Sequence, residues 1–195
     1  MTNAVLDTIH RRRSIRTYRP DPVDQPILSA VLEAGRAAPS GGNNQSNHYI
    51  VIENKQVLAD LIALVERTFA ALEATEGMYK SLAHSIERAQ KGGYDFTFGA
   101  PVVVVAANKR DYGNALPDCA VALENMMLSA VSLGLGSCWV NQLRWLGEQP
   151  DVRAFLTGLG LRDDEIVCGG LALGYAAMEP SQPLARPGNQ VTWVK

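Results

Sequence analysis

Five of the eighteen basic residues in this 195-residue chain fall between Arg11 and Arg19, although the formal net charge is −2. A guanidinium fork matches the oxygens of a phosphate two at a time, and the Ser14 hydroxyl within Arg12-Arg13-Ser14-Ile15-Arg16 adds another donor. The cluster therefore suits one local phosphate. Two other readings of the same residues stay open at this point: a solvated basic turn and a nucleic-acid contact.

A second group with chemical character is Ala38-Pro39-Ser40-Gly41-Gly42-Asn43-Asn44-Gln45, a small-residue loop carrying amide side chains. A third is Gly134-Leu135-Gly136-Ser137-Cys138-Trp139-Val140, which follows a long apolar stretch beginning at Asp118, and a fourth is Gly169-Gly170-Leu171-Ala172-Leu173-Gly174-Tyr175. In order and spacing these segments resemble the FMN-dependent nitroreductase family over nearly the whole chain. In that family an Arg-(Arg/His)-Ser-x-(Arg/Lys) segment opens the domain. A Pro-Ser-x-x-Asn-x-Gln-Pro-Trp loop follows about one helix later; Pro39, Ser40, Asn43 and Gln45 match it, while Ser46 and Asn47 replace its Pro-Trp.

The resemblance implies that Arg12, Arg13 and Ser14 hold the FMN phosphate and ribityl oxygens. Arg16 then lies toward the pyrimidine end of the ring, where a fixed cation stabilises the anionic reduced flavin. Pro39, Ser40 and Asn43 reach the ring edge from the other subunit, with Gln45 supporting their loop. Trp139, Val140, Asn141 and Gln142 lie near the ring, at a place where many relatives carry Glu-Gly or Gly-Gly instead of Asn141-Gln142. Arg186 reaches the phosphate from the C-terminal segment. No catalytic side chain is implied, because the chemistry falls on N5 of FMN: NADH or NADPH gives hydride, leaves, and a nitroaromatic or quinone takes its place in a ping-pong cycle. A specialised member, either a reductive dehalogenase or a flavin-destroying enzyme, and a flavin-sequestering protein with little turnover are the competing readings.

Other chemistries find less support. Trp139 occupies the place of the third glycine that a dinucleotide fingerprint on Gly134-Leu135-Gly136 needs, and there is neither a P-loop nor a Gly-x-Ser-x-Gly elbow. The three cysteines, Cys119, Cys138 and Cys168, are widely spaced in apolar sequence, and the three histidines lack ligand spacing, so neither a disulfide framework nor a zinc site is expected. A pI near 5.9 and a basic cluster without interleaved aromatics argue against nucleic acid. With 47% hydrophobic residues and no apolar run of spanning or signal-peptide length, the expectation is a cytoplasmic protein without a membrane partner.

The elements that must position these residues follow from periodicity. Residues 3–11 read as a short helix with Val5, Leu6 and Ile9 on one face, and residues 12–22 as irregular because of Pro20 and Pro22. Helices are expected over 24–37, 56–72, 81–90 and 151–159, with strands over 48–53, 102–106 and 166–175. Residues 92–98 read as a glycine-loosened aromatic loop, either a substrate-contacting lid or a packed surface loop. Residues 117–133 form a helix that is apolar almost all round and needs burial on several sides, centrally or at a subunit interface. The strands do not alternate with helices at βαβ spacing, so the fold class is α+β. One domain over 1–195 is expected, with 176–195 as a C-terminal arm ending in a strand signal at 190–194. The resemblance adds a central mixed or antiparallel sheet flanked by helices, and an intertwined homodimer that exchanges the C-terminal strand.

Overall fold

The chain is described by a computed structural model at residues 3–179, 182, 185 and 187–195. Its organising element is strand β2, Val102–Lys109, a β-branched run buried on both faces. Alternation sends Val103, Val105 and Ala107 into one core, and Val102, Val104 and Ala106 into another. Around it lie β1 (His48–Ile52), β3 (Gly136–Val140) and β4 (Glu165–Gly174), in the order β1-β2-β4-β3. Every neighbouring pair is antiparallel, with a register shift between Ala106 and Ala107. The α+β expectation holds, and the four strands form an antiparallel rather than a mixed sheet.

Helices cover both faces. The first core is closed by α3 (Lys55–Ala70), α4 (Lys80–Gln90), α6 (Gln142–Leu146) and α7 (Pro150–Gly158), through Leu61, Val65, Phe69, Ile86, Leu143 and Leu156. The second is closed by α2 (Gln25–Arg36) and α5 (Ala115–Ser132), through Leu28, Val31, Leu123 and Met126. The Asn54 side chain caps α3 by accepting from the Gln56 and Val57 N–H groups, and prolines in their first turns suit α2 and α7 to helix initiation. Asp24 precedes α2 without a side-chain capping bond.

The short helix α1 (Ala4–Arg11) leaves Val5, Leu6 and Ile9 exposed, as α5 leaves Leu116 and Val121. The aromatic loop at 92–98 is a core element: Phe96 is fully buried, and Tyr94 meets Phe69 edge to face with centroids 6.0 Å apart. Residues 190–194 form no strand within this chain, and Val191, Trp193 and Val194 are exposed. Arg186 lies outside the described residues. No helix among the described residues is long and apolar enough to cross a membrane.

Candidate active site

Segment 12–19 is irregular but tightly held. The Ile15 N–H donates to the Ser137 carbonyl at 2.9 Å, so Ser14 pairs in parallel with the sheet's edge strand β3. The Arg19 N–H donates to the Tyr175 carbonyl (2.9 Å) and the Ala177 N–H to the Thr17 carbonyl (3.0 Å), which ties the same segment to the chain leaving β4. The Tyr18 ring is buried beneath it, and burial pushes its phenol well above the usual range, so it stays a neutral hydrogen-bonding group.

This anchoring sets Arg16 beside the end of β3. Arg16, Cys138, Val140, Asn141 and Gln142 line one cavity of about 720 Å³, whose far wall is built from α4 and the aromatic loop. The Arg16 guanidinium lies 5.8 Å from the centroid of Phe98. Phe98 is in the left-handed region (φ 60°), costly for a bulky residue, and Asp95 enforces the turn by accepting from the Thr97 N–H (2.7 Å), the Thr97 hydroxyl (2.7 Å) and the Gly99 N–H (2.8 Å). Gln142 Nε2 donates to the Tyr94 hydroxyl (2.8 Å), which donates to Ser85 Oγ (2.8 Å). Three separate segments are thus tied into one wall.

Among the described residues, two buried polar atoms, Gln142 Oε1 and Ser137 Oγ, have no hydrogen-bond partner. Such atoms are expensive unless a ligand or water satisfies them. Burial pushes the Cys138 thiol up against the pull of Arg16, so this cavity cysteine is a poor nucleophile. A cation, an unsatisfied amide oxygen and the aromatic rings of Tyr79, Phe98 and Trp145 fit a planar, hydrogen-bonding ring such as that of FMN.

The other expected residues are distributed as follows. Trp139 borders the cavity, but alternation along β3 turns its indole to the second core, against Gly169; its Nε1 donates to Asn141 Oδ1 at 2.8 Å. Arg12 pairs with Glu124 at 3.5 Å, with both side chains partly exposed. Arg13 lines a second cavity, of about 700 Å³, with Arg11 and Arg19. Pro39, Ser40, Asn43 and Gln45 line neither cavity of their own chain. Their loop is ordered from behind: the Gly41 N–H donates to the Asp118 carboxylate at 3.1 Å, and Ser40 Oγ accepts from the Gln45 N–H at 3.0 Å. Asn43 and Gln45 are exposed and left-handed, with φ of 55° and 51°. Ser46 and Asn47 face inward: Ser46 Oγ donates to Asn108 Oδ1 at 2.9 Å, and Asn108 Nδ2 donates to Asn47 Oδ1 at 2.7 Å.

Sequence reasoning did not single out Tyr79, His84, Arg88 or Trp145, all of which line the Arg16 cavity. The available signal was the spacing of Lys80, His84 and Arg88, four residues apart along one helix.

The antiparallel sheet between two helical layers, with a cavity at the end of its edge strand, defines an α+β architecture. The same architecture is found in a nitroreductase with bound FMN from Bacteroides fragilis, 36% identical, with a TM-score of 0.89 and complete coverage of both chains. A nitroreductase with bound FMN from Desulfitobacterium hafniense, 26% identical, gives a TM-score of 0.86, again over the whole of both chains. The 4-nitrobenzoate reductase of Nocardioides sp. is 33% identical over 205 residues, covering 87% of this chain and 80% of that protein. The chain belongs to the nitroreductase family, whose model matches residues 9–175.

Proposed function

We propose that this protein is an FMN-dependent oxidoreductase that takes electrons from NADH or NADPH and passes them to a small electron-poor acceptor, such as a nitroaromatic or quinone. The observation that carries the reading is the convergence of Arg16, Asn141 and Gln142 on one cavity, with the Gln142 amide oxygen buried and unpaired. FMN, when bound, supplies the two-electron chemistry that no side chain here can supply. The protein's own part is to hold and orient. Arg16 places a fixed positive charge on the wall where negative charge accumulates on reduction, Gln142 offers an amide to a ring edge, and the Arg12-Arg13-Ser14 segment offers donors to a phosphate. Tyr94 and Ser85 fix the Gln142 side chain.

One cavity serves donor and acceptor in turn, so initial-rate plots at several acceptor concentrations should be parallel; intersecting lines would point to a ternary complex and contradict the shared cavity. The working unit in this reading is a homodimer, each chain one domain with residues 176–195 as an arm reaching its partner. It is supported by the exposed loop from Pro39 to Gln45, which lines neither cavity of its own chain, and by the exposed apolar residues of α1 and the tail. The direct test of the cofactor is to purify the protein and denature it. A yellow protein that releases FMN supports the reading, and a protein that cannot be loaded with FMN removes it.

A further inference from the structure

The wall of the Arg16 cavity formed by α4 carries an unabsorbed pattern of charge. Lys80, His84 and Arg88 recur every four residues and so share one face of the helix, over about 12 Å from first to last. All three are exposed and line the cavity. Among the described residues none of them forms an ion pair, and neither does Arg16 on the opposite wall, although the protein as a whole is slightly acidic. The acidic side chain on the same cavity, Asp95, has its oxygens engaged in the turn that holds Phe98. The cavity is therefore positive on two sides.

Beside the cations stands an aromatic corner. Tyr79, next to Lys80 in the chain, meets Trp145 of α6 edge to face, with centroids 6.0 Å apart, and both line the cavity. An aromatic ring packed on that corner would share the cavity with the basic side chains of α4. A benzoate carries its charge on the ring itself, whereas a nicotinamide dinucleotide carries its phosphates beyond a ribose. We propose that the cavity selects flat aromatic acceptors that carry a carboxylate, and that Lys80, His84 and Arg88 are the residues that recognise the charge. The proposal rests on the reading of this cavity as the oxidoreductase site.

The test compares 4-nitrobenzoate with 4-nitrobenzamide, which share size and ring and differ in charge. Calorimetric titration into FMN-loaded protein without donor should show about tenfold tighter binding of the carboxylate, as expected from several weak exposed charge contacts acting together. High salt should erode the preference, and kcat/KM at saturating donor should show the same ratio. In Lys80→Glu/Arg88→Glu the ratio should fall to one or invert; Lys80→Gln/Arg88→Gln, with a smaller expected fall, serves if the double reversal does not fold. Equal binding of the two acceptors by the native protein would overturn the proposal, as would a preference that survives in the folded variants. A variant slowed only in reduction by NADPH, with acceptor binding unchanged, would assign the cations to the donor and also overturn it. Failure of the underlying reading looks different: a colourless protein that takes up no FMN, seen before any acceptor is added.

Discussion

At the residue scale, one arginine and two glutamates carry the testable chemistry. Arg12 meets Glu124 in an exposed pair, the kind worth well under about 1 kcal/mol, so it can leave for a phosphate at little cost. Arg12→Ala should weaken FMN binding by about 1.5 to 3 kcal/mol, or one to two decades, whereas Glu124→Gln should tighten it up to a few fold; flavin fluorescence titration measures both. Glu165 is fully buried. Burial works to raise its carboxyl pKa, but the His48 ring 2.9 Å away, the Arg162 N–H at 3.0 Å and the Arg162 guanidinium together hold it below the usual carboxylate range. A lowered folded-state value means that its stabilisation is complete above the unfolded carboxyl pKa, about 4.3, and is lost as pH falls through the folded value. Glu165→Gln should therefore lower Tm at pH 7 by the equivalent of about 1.5 to 3 kcal/mol and flatten the fall of Tm below pH 4. If Tm is unchanged at pH 7, the buried carboxylate does not hold this end of β4. Arg16, Asn141 and Gln142, which line one cavity, were named in the sequence through the resemblance of the two short motifs that contain them. The Gln142–Tyr94–Ser85 chain was not, because its members come from three segments that no periodicity links.

At the element scale, the expected strands at 48–53, 102–106 and 166–175 and the expected helices match observed elements to within a few residues because their apolar periods are strong, as in β2 and α3, whereas β3 and α6 were not expected from periodicity. The direction of Trp139 was less so: the local motif puts it beside a ring, while strand alternation sends its indole to the opposite face, over a glycine. A Cβ on Gly169 would stand 2.9 Å from Trp139 Cζ2 and 3.1 Å from Leu123 Cδ1. Gly169→Ala should thus displace the indole, strain its bond to Asn141 and cost about 1 to 3 kcal/mol in denaturant unfolding. A neutral substitution would mean that the second core yields more easily than its packing implies. The aromatic loop could have been a surface lid on composition alone. Tertiary contact with Phe69 and the Asp95 turn makes it part of the cavity wall.

At the scale of the whole molecule, one chain leaves apolar surface uncovered on α1, α5 and the tail, where Trp193 is 81% exposed. The sequence carried this as a strand signal without a partner in its own chain and as an over-apolar helix. Nothing in one chain's periodicity encodes where a second copy would sit. If the arm and the flavin site are joined across a dimer, deleting residues 181–195 should lower dimer content in sedimentation and FMN content together, because each stabilises the other by mass action. A truncated protein that stays dimeric and fully loaded would separate the two.

The central claim is that the cavity between Arg16 and α4 carries electrons from a nicotinamide donor to an electron-poor acceptor. Anaerobic stopped-flow mixing tests it most directly. FMN-loaded protein mixed with NADH or NADPH should lose its flavin absorbance within the time of a catalytic turnover, and a second mix with a nitroaromatic or quinone should restore it after the donor is exhausted. A protein that binds FMN firmly yet keeps its absorbance with both donors would contradict the account and leave a flavin-binding protein without turnover.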